Sequence, residues 1–155
     1  MRYLLLVFVL LFIGCSTKTY QSSDPKLITI KTKKFRYSDL GYLKRSGDAV
    51  SIELFSAGQM IQKIEINHLV CVQEGCMSKS RFNQEFLDKS YPDEILKNII
   101  LKKPIFHKNE YREINTGFKQ KIQDNNVDII YKVTPKSVYF KDKKNHILFK
   151  MKDIN

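Results

Sequence analysis

Few residues in this chain are of a type and spacing that could do chemistry. Cys71 and Cys76 stand five positions apart on either side of the turn-like Gln73-Glu74-Gly75. The spacing is CxxxxC, not the CxxC of thiol–disulfide exchange, and no βαβ pattern surrounds it. In an oxidising compartment such a pair closes a cross-link that contributes about 2 kcal/mol. Free thiols, or redox or metal work, are the alternatives. His68, His107 and His146 lie about forty residues apart, without the HExxH or HxxxH spacing of a metal site. No GxSxG, SxxK or Walker-type loop occurs, and Asp39, Asp48 and Glu53 are ordinary turn and strand-surface acids. No catalytic residue, metal or cofactor is expected, and an enzyme is the weakest function class.

The third cysteine has a different setting. Met1-Arg2 is a short basic start, and Tyr3 to Ile13 is an apolar run that ends at Gly14-Cys15. Eleven residues span roughly 16 Å as a helix, about half of a ~30 Å hydrocarbon core, so the run reads as a signal-peptide segment. Leu11-Phe12-Ile13-Gly14-Cys15 resembles a bacterial lipobox, with Phe12 where Leu is usual. That resemblance implies cleavage between Gly14 and Cys15 and conversion of Cys15 to a diacylglyceryl cysteine with a third, amide-linked chain. Two or more such chains hold a protein firmly in a bilayer. Ser16 after the cysteine, where Asp would retain an inner-membrane lipoprotein, implies the outer membrane of a Gram-negative envelope, facing the periplasm. An ordinary secretory signal that happens to contain a cysteine is the alternative.

The organisation that follows is residues 1–14 as signal peptide, 15–26 as a flexible tether after lipidated Cys15, and 27–155 as one domain. STKTYQSSDPK (Ser16 to Lys26) is polar and aperiodic, which suits a tether. A chain of 155 residues, 43% hydrophobic and 28% charged, supports a single core.

Within that domain the patterning is mostly of period two. Ile28 and Ile30, Phe35 and Tyr37, then Val50, Ile52 and Leu54 alternate with polar neighbours. Ala57-Gly58 turns the chain into Met60, Ile64 and Ile66, which predicts a hairpin. Helical spacing replaces alternation at Phe82, Phe86 and Leu87. It appears again at Ile95, Leu96, Ile99 and Ile100, behind an apparent Ser90-Tyr91-Pro92-Asp93 start and ahead of Pro104. Strands return as Phe118, Gln120 and Ile122, then Val127 to Val133, Val138 and Phe140, and Ile147 to Met151, with turns at Asp124-Asn125-Asn126 and Asp142 to Asn145. Strands, two helices and strands without a βαβ rhythm predict an α+β domain. Its antiparallel sheet would curl into an open half-barrel, with two helices inserted between the strand groups.

Ile52, Leu54, Ile129, Tyr131, Phe140 and Phe149 would line the inside of such a sheet, and Phe82, Phe86, Ile95 and Ile99 would face them from the helices. A packed core and an acyl-sized apolar cavity share this pattern. The order of elements resembles the LolA/LolB lipoprotein-carrier family over roughly residues 35–152. The features that match are Cys15, the hairpin AVSIELFSAGQMIQKIEI, the helix YPDEILKNIILKKPIF and the closing strands VDIIYKV, SVYF and HILFKMK. The resemblance implies an incomplete barrel under a helical cover, an apolar cavity that holds acyl chains, and reception of lipoproteins at the outer membrane. This chain is shorter, lacks Trp and carries the Cys71/Cys76 pair, and no individual functional residue transfers. A small structural or accessory lipoprotein that docks another envelope protein is the second function class.

The formal net charge is +11, and twelve lysines fall between Lys97 and Lys150. A solvated basic face is the simplest account. The nearest alternative partner is anionic lipid headgroups, because export argues against nucleic acid.

Overall fold

The computed structural model describes residues 21–154. Signal-peptide cleavage at Gly14 and lipidation of Cys15 concern residues outside that range. Eleven antiparallel strands form one sheet: β1 (Ser22–Lys31), β2 (Arg36–Ser46), β3 (Ala49–Ser56), β4 (Gln59–Ile66), β5 (Val70–Val72), β6 (Gly75–Met77), β7 (Tyr111–Ile114), β8 (Gly117–Gln123), β9 (Asp128–Thr134), β10 (Ser137–Asp142) and β11 (Ile147–Asp153). Their spatial order is β6-β5-β4-β3-β2-β1-β11-β10-β9-β8-β7. Two meanders, β1–β6 and β7–β11, thus meet along the central β1–β11 seam. The sheet curls but does not close, because its outermost strands β6 and β7 do not pair.

Between the meanders the chain forms α1 (Lys79–Phe86), α2 (Ile95–Ile100) and a 3₁₀ turn at Phe106–Lys108. Among the described residues helix is confined to these short pieces, so this part of the chain is predominantly β. Alternation does the sorting: Ile28, Ile30, Ile129, Tyr131, Val133, Val138, Phe140, Ile147, Phe149 and Met151 all point inward and are buried. Ile95, Leu96, Ile99 and Ile100 of α2 meet them from the other side, in one continuous core.

Gly41 sits mid-strand in β2 at a position with no room for a side chain. A Cβ there would lie 2.7 Å from Ile28 Cδ1 and 2.8 Å from the Glu53 carbonyl oxygen. Glycine at such a site lets neighbouring side chains close over the backbone and the sheet bend. A register shift between Leu54 and Phe55 adds a second irregularity close by.

Two expectations are corrected. Residues 22–26, assigned above to the tether, are the first half of β1. Ser22, Ser23, Asp24 and Pro25 lie opposite Arg45, Lys44, Leu43 and Tyr42 of β2, and Lys26 Nζ sits 3.0 Å from Asp153 Oδ1. Long β2 offers backbone partners there, and backbone pairing needs no apolar side chains. The second helix starts at Ile95, not at Ser90. The Asp88 carboxylate accepts from both the Ser90 amide (2.9 Å) and the Ser90 hydroxyl (2.6 Å), which holds Ser90 in a turn of its own. The cap expected at Ser90 belongs instead to α1, where Ser78 Oγ accepts from the Arg81 amide at 3.2 Å.

Candidate apolar binding site

An apolar cavity of about 190 Å³ lies between the sheet and the two helices. β1, β3, β4, β10 and β11 supply its floor, through Ile30, Ile52, Ile64, Phe140 and Phe149 among others. Phe82 and Phe86 from α1 and Leu87 just after it, with Leu96, Ile99 and Ile100 from α2, form the roof. Thr32, Lys34, Gln62 and Glu74 contribute polar groups, and Lys34 Nζ stands 5.1 Å from the centre of the Phe86 ring. That cation–π contact joins the β1–β2 turn to the end of α1.

Of the ten residues expected to line a cavity, Ile52, Phe82, Phe86, Ile99, Phe140 and Phe149 do. Leu54, Ile95, Ile129 and Tyr131 do not, and each is fully buried in packed core. The pattern missed Ile30 and Leu87, although each shares the spacing of residues that were named; Ile64, on the inward face expected for its hairpin, also lines the cavity. Tyr91 and Val72 carried no comparable signal.

The helical connection is tied down unequally. On the β8–β11 side it is held by hydrogen bonds. The Tyr91 hydroxyl donates to Asp142 Oδ2 at 2.7 Å, and the Tyr131 hydroxyl donates to the Lys103 carbonyl at 2.9 Å. Buried Gln120 accepts from the Ile105 amide at 2.8 Å and donates to the carbonyls of Ile105 (2.9 Å) and Asn109 (2.7 Å). Lys102 donates to the Pro135 carbonyl. Among the described residues no comparable hydrogen bond joins α1 to β1–β6. There the contacts are apolar, apart from Lys34 on Phe86. The roof is therefore held by hydrogen bonds, as along a hinge, to one meander, and meets the other through apolar packing, the Lys34 contact and the chain connection from β6.

Asp142 anchors this hinge. Besides Tyr91 it accepts from the amides of Asp128 (3.2 Å), Lys144 (3.0 Å) and Asn145 (3.2 Å) and from Asn145 Nδ2 (2.8 Å). A carboxylate with five donors can stay buried, because each lone pair lost to water is replaced. Burial, reinforced by the bond to Asp142, pushes the Tyr91 phenol far above its ordinary value. Burial alone does the same to Tyr131.

Cys71 and Cys76 form a disulfide between directly opposed positions of β5 and β6, beside the cavity residues Val72 and Glu74. Among the described residues no three His, Cys, Asp or Glu side chains gather as a metal site would require. Nor is any helix among them long and apolar enough to cross a membrane.

The arrangement suits binding by exclusion of water. Dry apolar cavities of about 150 Å³ take up benzene-sized ligands, whereas sites for drug-sized molecules run to about 300 Å³ or more. At about 190 Å³ this cavity lies between those two sizes. No known protein-family model matches this chain, and no curated protein matches it in sequence.

Proposed function

We propose that this is a non-enzymatic, lipid-anchored envelope protein, held by Cys15 at the periplasmic face of an outer membrane, that takes up acyl chains or lipoproteins without covalent chemistry. The mode resembles that of the LolA/LolB carriers. The observation that carries the proposal is the apolar cavity beneath a helical roof that is hydrogen-bonded to one meander and packed by apolar side chains on the other. Burying hydrocarbon contributes about 25 cal/mol per Å² removed from water, so uptake needs shape and dryness and no reacting group. The small resting volume favours a second reading, an accessory lipoprotein with a nearly packed core that docks a protein partner.

Native mass spectrometry separates the two. The chain should begin at Ser16, because a start at residue 27 would remove half of β1. Retained acyl species, or uptake of a fluorescent fatty acid, supports the carrier. Ile64→Phe and Leu87→Trp, which fill the cavity, should each weaken uptake about tenfold or more while keeping the melting temperature. A clean apo mass with no uptake by the parent chain refutes acyl binding. For the anchor, Cys15→Ser in cells should abolish the acyl mass on the N-terminus.

A further inference from the structure

The lysines of the second half have a place that the cavity does not use. Residues directly opposed on neighbouring antiparallel strands share a face, so the register lays out rows across the outside of the sheet. One row runs Arg36, Lys31, Leu148, Lys141, Ile130, Lys121, from β2 to β8. The next runs Thr29, Lys150, Tyr139, Lys132, Lys119, from β1 to β8. All seven cations are exposed, while Leu148, Ile130 and Tyr139 between them are half-buried. Neither row contains an acid.

Elsewhere on the same sheet the pattern is different. On β2–β4 the outward lysines have carboxylate partners: Lys44 lies 2.8 Å from Glu53, and Lys63 lies 3.3 Å from Glu65. Among the described residues none of the seven cations in the two rows has an ion pair. Lys150 instead stands over the Tyr139 ring at 5.4 Å. The two rows thus concentrate uncompensated positive charge, interleaved with apolar side chains, over a band about 24 Å wide at the usual strand spacing.

We propose that this outer face docks on an anionic phospholipid bilayer. The charge is complementary to lipid phosphates. A bilayer is extended in two dimensions, so it meets both rows together, and its interfacial region accommodates Tyr139, Ile130 and Leu148 between the lysines. A nucleic-acid strand is a line of phosphates and would follow one row. Docking this way leaves the cavity on the opposite side of the sheet, facing away from the membrane. The face and the cavity share no test, and failure of either leaves the other standing.

The full chain is incubated with vesicles of pure phosphatidylcholine or of phosphatidylcholine with 30% phosphatidylglycerol, and sedimented. The apolar run Tyr3–Ile13 is present in every sample, so pure phosphatidylcholine sets the baseline. Phosphatidylglycerol should enhance binding at least about tenfold at 0.05 M salt, and the enhancement should vanish near 0.5 M, where screening is short-ranged. The triple variant Lys119→Glu, Lys132→Glu, Lys150→Glu should abolish it. Lys89→Glu, Lys97→Glu, Lys103→Glu carries the same net charge on the helical connection and should keep most of it. Circular dichroism establishes that both are folded, and Lys→Gln versions of the same sites repeat the comparison if a reversal is not. Equal losses in the two triples, no enhancement by phosphatidylglycerol, or tighter retention of a single-stranded oligonucleotide than of the anionic vesicles at equal salt would each overturn the proposal.

Discussion

Removing one oxygen from Tyr91 tests the hinge. Tyr91→Phe keeps the ring and its edge contacts with Phe106 at 6.3 Å and Phe140 at 6.0 Å, so no cavity opens. What goes is the 2.7 Å bond to a buried carboxylate. Hydrogen bonds to charged partners contribute about 1.5–3 kcal/mol net, against about 1 kcal/mol for neutral pairs. Asp142 retains four donors, so the loss should fall near 2 kcal/mol, or about 4–8 °C in melting temperature for a chain of this size. Tyr131→Phe is the internal comparison, since its hydroxyl meets only the Lys103 carbonyl, and about 1 kcal/mol is expected.

Alkaline pH supplies an independent readout. Both phenols titrate above the ordinary value of 10.0 when folded. Their contribution is therefore complete below pH 10 and is lost as pH rises beyond it, because the unfolded chain releases protons that the folded chain keeps. Between pH 10 and 11 each tyrosine should remove up to about 1.4 kcal/mol, and each Phe variant should flatten the slope by that amount. Urea unfolding followed by circular dichroism measures both effects. Should Tyr91→Phe cost less than Tyr131→Phe, or leave the alkaline slope unchanged, the assignment of Asp142 as the anchor is wrong.

Two further outcomes follow from the sheet. Gly41→Ala places a Cβ against the Glu53 carbonyl, which cannot rotate away, and should destabilise by about 1–3 kcal/mol in the same assay. Reducing Cys71–Cys76, or replacing both with Ser, should cost about 2 kcal/mol, seen as a lower urea midpoint with little change in the rest of the core.

Much of this architecture was legible in alternation. The apolar positions from Ile28 to Leu54 and from Phe118 to Met151 appear as period two because one sheet face is buried and the other is wet. The turn at Ala57-Gly58 has both residues at positive φ, as a tight hairpin requires. The start of β1 was not legible, because Ser22 to Lys26 are held by backbone pairing, which leaves no mark in side-chain pattern. Strand β7 was missed for the same reason: Tyr111 is half-buried and Arg112, Glu113 and Ile114 are exposed. Gln120 was visible as a polar residue on an apolar face, but its partners Ile105 and Asn109 lie in a connection whose path the sequence does not display. Asp142 was read as a turn acid. It does brace that turn, and only the structure brings Tyr91, fifty-one residues earlier, onto its other oxygen. The division of the apolar set into cavity and solid core depends on how far the helices stand from the sheet, to which alternation is blind.

The seam between β1 and β11 sets an order on folding. The sheet's central joint unites the first and last strands of the described residues, from Lys26 opposite Asp153 to Lys31 opposite Leu148. Before β11 exists, the first meander can form hairpins, but one side of β1 stays bare and the core lacks its middle. Contacts this distant along the chain form slowly. A chain still lacking β11 consequently has no complete sheet to fold into, and the sheet becomes accessible only after Ile147–Asp153 have been made.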